Sequence, residues 1–144
     1  VNSDGVFLGV KHAIRAMKPG GISGRGGSII NMASICAMVA LHGATTYSVS
    51  KAAVTQLTKM AAIECGKLGY GIRVNSIHPG AIRTPLVAGP DAAALAAAAV
   101  RGLAIPRLAE PEEITRLVLF VASDEASFST GSEFVVDGGM TAQV

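Results

Sequence analysis

The sequence predicts an α/β fold, a parallel sheet with helices on both faces. Two observations carry that prediction. Segments with helical spacing of apolar residues alternate with short apolar segments, in the order helix, strand, helix, strand, helix, strand. The short segments read as apolar strands bounded by turn residues, as buried strands are. Ligands of such sheets bind beyond the carboxyl ends of the strands. That rule singles out the residues after "SIINMAS", after "RVNSIHPG" and after "FVVDGG".

Each element has its own signature. Phe7, Val10, Ile14 and Met17 recur at helical spacing and predict a first helix over residues 2–17. "KPGGISGRGG" is a loop, and "SIINMAS" a buried strand over residues 28–34. A second helix spans residues 44–67, with Gly66 and Gly69 ending it. "GIRVNSIHPG" is a strand that stops at Pro79-Gly80. Residues 84–106 read as a helical excursion broken by Pro and Gly, whose Ala run favours helix but carries no chemistry. "EPEEITRLVLFVAS" is a third main helix, with Pro111 and acidic residues in its first turn. "SEFVVDGG" is a last strand ending in a turn. No repeat or second domain is visible, so residues 1–144 read as part of one domain.

Composition narrows the function. The chain has 144 residues, half of them hydrophobic and 15% charged. That is apolar for a free monomer and predicts contact with other chains. A net charge of +2, without a basic cluster or aromatic platform, argues against nucleic acid. Cys36 and Cys65 are too few for a disulfide framework, which makes a reduced, cytoplasmic setting the default. No apolar run is long enough to span a bilayer. Residue 1 is Val and already lies in a helical pattern, so the expectation is the C-terminal part of a longer protein.

The candidate chemistry centres on "YSVSK". Tyr47 and Lys51 are four apart and share a helix face. A phenol titrates near about pH 10 and is a poor base at neutral pH; a fixed cation favours the phenolate. The pair makes an acid/base for an alcohol or ketone. Taken alone, the spacing is better read as that of a solvated helix face. Ser34 shifts the balance, because it ends the preceding strand, thirteen positions before Tyr47. Its hydroxyl can bond a substrate oxygen beside the phenol, or else cap the next turn. A nucleophilic serine fits less well without a G-x-S-x-G elbow. In "HPGAIRTP", Pro79-Gly80 turns the chain and lets backbone approach a ligand, and Thr84 offers a hydroxyl. His78 reads as a structural residue rather than a base. His12, His42 and His78 lack metal-ligand spacing, so no metal site is expected.

Taken together, Ser34, "YSVSK", "NSIHPGAIRT" and "TGSEFVVDGG" resemble the short-chain dehydrogenase/reductases, from the first helix almost to the end. Several motifs agree in order and spacing, which a lone Y-x-x-x-K would not. The resemblance implies a Rossmann-type doubly wound sheet and a nicotinamide cofactor, NAD or NADP. It implies Tyr47 as acid/base, Lys51 lowering its pKa and binding the ribose hydroxyls, and Ser34 orienting the substrate oxygen. Asn2 matches an asparagine that helps hold a water-mediated proton relay behind the lysine; its other reading is a helix cap. Pro79, Gly80, Ile82 and Thr84 match the segment on the nicotinamide, Ile82 by backbone and Thr84 by side chain. Asp137, Gly138 and Gly139 match a structural turn. The family's Gly-rich T-G-x-x-x-G-x-G loop, its N-N-A-G motif and the residue that reads the adenosine ribose are absent from these 144 residues. The resemblance therefore implies the C-terminal half of the fold, without the N-terminal Gly-rich βαβ unit and without the residues that choose between NAD and NADP. The chain by itself should bind dinucleotides poorly and not turn over.

The texture is nearest the hydroxysteroid and alicyclic alcohol dehydrogenases, whose substrates are small-molecule alcohols and ketones. A 3-oxoacyl-[acyl-carrier-protein] reductase is the alternative. A non-catalytic dinucleotide-binding protein fits less well with Ser34, Tyr47 and Lys51 intact, and a lyase or epimerase relative less well with Lys51 and with the end after "VDGG". The two long helices carry more apolar residues than one sheet face needs, and the resemblance implies that they pack against their counterparts in a homotetramer.

Overall fold

The computed structural model describes residues 1–85 and 92–142. Strands β1 (Gly27–Met32), β2 (Ile72–Pro79) and β3 (Glu133–Val136) form one parallel sheet in that order. The described helices are α1 (Asp4–Met17), α2 (Thr45–Lys67), α3 (Ala92–Val100) and α4 (Pro111–Ala122). Part of the expected 84–106 excursion, residues 86–91, lies outside the described residues.

The register pairs Ile29 with Val74 and Asn31 with Ser76, so these four side chains share one face. Helices α1 and α2 cover it. Val10 of α1 and Ala61, Ala62 and Cys65 of α2 bury themselves against Ile72 and Val74. The other face meets α4. Ser28 Oγ donates to the Val121 carbonyl at 3.2 Å, and the Arg73 guanidinium reaches the carbonyls of Val121 and Ser123 at 3.0 and 2.9 Å. The last carbonyls of a helix have no intrahelical partners, and its C-terminal end is negative, so a cation there satisfies both. The expected doubly wound arrangement is present. Among the described residues no helix is long and apolar enough to cross a membrane.

Element ends differ from the sequence expectation in instructive ways. Gly66 does not end α2 but lies inside it; the chain turns at Gly69, whose φ of +65° suits a residue without a Cβ. The regular part of β1 stops two residues early, at Met32. Ala33 N–H still bonds the Ile77 carbonyl at 2.9 Å. The next rung of this parallel ladder would need an N–H at position 79, and Pro79 has none. Released from the ladder, the chain turns at Ser34 into a short 3-10 turn, Ile35–Ala37.

Buried polar groups fasten the third strand. Asn75 is fully buried; its Nδ2 donates to the Ser129 carbonyl at 2.8 Å and its Oδ1 accepts from Ser132 N–H at 3.0 Å. One amide thus satisfies both directions of the loop that enters β3. Beyond β3, the Asp137 carboxylate accepts from Gly139 N–H at 2.9 Å and from Thr141 N–H and Oγ1, both at 2.7 Å. Burial works against its charge, but these hydrogen bonds outweigh burial and hold the carboxyl below its ordinary range.

Candidate active site

The three strand ends converge on one cleft of about 390 Å³. Ser34, Ile35 and Cys36 line it from the end of β1, Gly80 and Ala81 from the end of β2, and Met140 from beyond β3. Tyr47 enters from the first turn of α2. Ser34 and Tyr47, separate in sequence, therefore face the same space.

Ser34 caps the next turn and also lines the cleft. Its Oγ accepts from Cys36 N–H at 3.2 Å and caps the 3-10 turn. That bond uses one lone pair, so the hydroxyl proton is free to be donated into the cleft. Lys51 lies one helical turn beyond Tyr47, with its Nζ 5.6 Å from the Tyr47 ring centroid. The same Nζ donates to the Met32 carbonyl at 2.8 Å. The bond to the end of β1 holds the cation in place and leaves two of its three donors for a ligand. Burial lowers the Lys51 pKa from the ordinary lysine value, while neighbouring Cys36 acts in the opposite direction.

The segment after β2 is ordered by a second contact. A parallel bridge joins Ile82 to Ala109, made by Ala109 N–H to the Ala81 carbonyl at 3.0 Å and by Arg83 N–H to the Ala109 carbonyl at 2.9 Å. In such a bridge the neighbours supply the bonds, and the N–H and C=O of Ile82 itself face the other way. Among the described residues neither has a partner. The Ala109 end is held by the start of α4. There Arg107 forms a two-pronged pair with Glu113 at 2.7 and 2.9 Å, and Glu113 also accepts from Glu110 N–H at 2.8 Å. The Arg107 guanidinium and that N–H bring the Glu113 carboxyl down to about 2.

Gly80 lines the cleft, and its Cα is also approached closely by the end of β3. A Cβ at position 80 would lie 2.7 Å from Asp137 Cα. Gly80 N–H bonds the Val136 carbonyl at 2.9 Å. Pro79 ends β2, and Thr84 lies partly buried beyond the Ile82 bridge. Asn2 lines a separate depression with Tyr47 and Ser50, and makes no hydrogen bond to Lys51 among the described residues. The cap position of α1 belongs to Ser3. His78 is fully buried and does not line the cleft, in keeping with a structural histidine. No group of three His, Cys, Asp or Glu side chains placed to hold a metal occurs among the described residues.

Sequence reading did not single out Leu41, Leu103 or Met140, which form much of the apolar wall. They are ordinary loop residues, and no local pattern marks them.

A family model described as enoyl-(acyl carrier protein) reductase matches residues 1–141. The fold superimposes on a short-chain type dehydrogenase/reductase from Mycobacterium marinum with a TM-score of 0.88 and 41% identity, over 99% of this chain and 54% of that one. The chain belongs to the short-chain dehydrogenase/reductase family. Two further members are similar along almost its whole length. An NADP-dependent (R)-specific alcohol dehydrogenase of Lentilactobacillus kefiri is 43% identical over 99% of this chain and 56% of its own. A 3-alpha-(or 20-beta)-hydroxysteroid dehydrogenase of Mycobacterium tuberculosis is 47% identical over 99% of this chain and 50% of its own. The chain thus spans about half the length of the curated short-chain dehydrogenases it matches.

Proposed function

We propose that the protein carrying this chain interconverts a secondary alcohol and a ketone with NAD or NADP, with Tyr47 as the acid/base. The observation that carries this reading is the cleft shared by Ser34 and Tyr47, with the Lys51 ammonium anchored close to the Tyr47 ring. In ketone reduction the Tyr47 hydroxyl gives its proton to the substrate oxygen, and in alcohol oxidation the phenolate takes it. Ser34 donates its free proton to the same oxygen and steadies the charge that develops there. Lys51 favours the phenolate electrostatically.

The residues present fit the nicotinamide end of a dinucleotide. The N–H and C=O of Ile82, without a partner among the described residues, offer a donor and an acceptor in line, as a carboxamide requires. Lys51 has two donors left for ribose hydroxyls, and Gly80 lines the cleft; Pro79 and Thr84 are assigned to the nicotinamide by the family resemblance. When bound, the nicotinamide supplies or accepts the hydride. Asn2 serves a proton relay reached from the Tyr47 side.

The apolar wall of Ile35, Leu41, Leu103 and Met140 suits a ring-borne alcohol, steroid or alicyclic. An acyl-carrier-linked substrate is the second reading, favoured by the wording of the matched family model. Exposed Phe7 and Leu8 on α1, with Val49, Met60 and Ile63 on α2, support a homotetramer built through these helices. The two cysteines, too few for a disulfide framework, support a reduced, cytoplasmic setting.

The test is steady-state turnover of the full enzyme on cyclic alcohols, hydroxysteroids and acetoacetyl thioesters, with the Tyr47→Phe variant alongside. Cyclic substrates should react, and Tyr47→Phe should lower kcat by about 10²–10⁴-fold. Thioester turnover alone would select the second reading. Turnover indifferent to Tyr47→Phe would sink the acid/base assignment.

A further inference from the structure

Ser34 lies where the β1–β2 ladder has run out, because Pro79 offers no donor for the next rung. Something else has to hold that turn. The Ser34 carbonyl lies 3.1 Å from Nδ1 of His78, the residue just before that proline. We infer that His78 is a positioning residue for the Ser34 hydroxyl, its imidazole holding the carbonyl one residue beyond Ala33, whose own rung is the one that Pro79 cannot make. The inference rests on the role proposed above for Ser34.

A carbonyl oxygen can only accept, so Nδ1 carries a proton. Nε2 of the neutral ring is then an acceptor, and Ser76 Oγ lies 2.9 Å from it. Two charged groups face the ring's outer edge. Glu133 Oε2 of β3 lies 3.6 Å from Nε2, and Lys59 of α2 pairs with Glu133. The ring is fully buried, so its orientation is set by these contacts rather than by water. Burial lowers its pKa, with the Ser34 carbonyl and then Glu133 acting against that and Lys59 with it. The net effect favours the neutral form in which both hydrogen bonds are made. Ser34 is then held twice, by its carbonyl to His78 and by its Oγ to Cys36 N–H. The two bonds together fix where the Ser34 Oγ sits.

Two variants separate the ring's two edges in the full enzyme. In His78→Asn the side-chain amide nitrogen lies near the Nδ1 position and keeps a donor for Ser34. In His78→Gln the amide reaches instead toward the Ser76 and Glu133 side. The expected result is that His78→Gln lowers kcat by about ten- to a hundredfold, with KM for the dinucleotide unchanged, and that His78→Asn recovers most of the loss. Equal losses in both variants would overturn the inference, as would unchanged kcat in both while Tyr47→Phe is inactive. Turnover insensitive to Tyr47→Phe would instead overturn the acid/base reading on which the inference rests. Should the variants not fold, nitrogen-15 spectra of the wild-type imidazole decide: a neutral Nδ1–H ring supports the inference, and an Nε2–H ring ends it.

Discussion

Replacing Gly80 with alanine tests how the β2 end is packed. Gly80 has no left-handed φ, so alanine brings no backbone strain. Its whole effect comes from the added methyl, which would lie 2.7 Å from Asp137 Cα and 2.9 Å from Asp137 Cβ. Carbon atoms rest at about 3.5–4.0 Å. The overlap of roughly 1 Å is with backbone, which cannot turn aside as a side chain can. The ends of β2 and β3 must part, at a cost of roughly 1–3 kcal/mol. For a domain of about 150–250 residues each kcal/mol lowers Tm by roughly 2–4 °C. The same shift carries Gly80 away from the cleft, and a displacement of about 1 Å at a reacting centre can cost about a hundredfold in rate. Calorimetry and steady-state kinetics on Gly80→Ala should show both losses together. Wild-type Tm with only a raised KM for the dinucleotide would refute the packing argument and return Gly80 to the ligand.

Two other predictions follow from buried or partly buried groups. Asn75→Leu keeps the volume roughly but leaves Ser132 N–H and the Ser129 carbonyl without partners, at about 1–3 kcal/mol each, so urea denaturation should show a loss of roughly 2–6 kcal/mol. A loss under about 1 kcal/mol would mean that water replaces the amide. For Lys51 the lowered pKa predicts opposite slopes on the alkaline side. The folded state sheds the proton before the unfolded state does, so this group makes stability rise with pH between its lowered value and the ordinary lysine value. Activity should fall across that same window, because the cation beside Tyr47 is lost. A pH–rate profile flat up to the ordinary lysine range, about 10.4, would contradict this.

How much was legible in the sequence depended on whether a feature is local. The helix-strand alternation and the shared helix face of Tyr47 and Lys51 depend on spacing within a few residues, and both appear in the fold. Pro79 as a strand end was equally local, since it lacks an N–H whatever surrounds it. Why position 80 has no room for a Cβ was not legible, because a missing Cβ says that something comes close, not what comes close. Only the placement of β3 beside β2 showed it to be Asp137.

The sequence by itself determined the elements, their order and the residue types that can exchange a proton, because propensity, periodicity and side-chain chemistry belong to each residue and its near neighbours. Tertiary structure alone decided that Ser34 and Tyr47 open onto one cleft, that Met140 helps close it, and that His78 turns inward to hold the Ser34 carbonyl. Those facts depend on strand register and on which face each residue takes, and pairings between residues so far apart leave no mark in the local pattern.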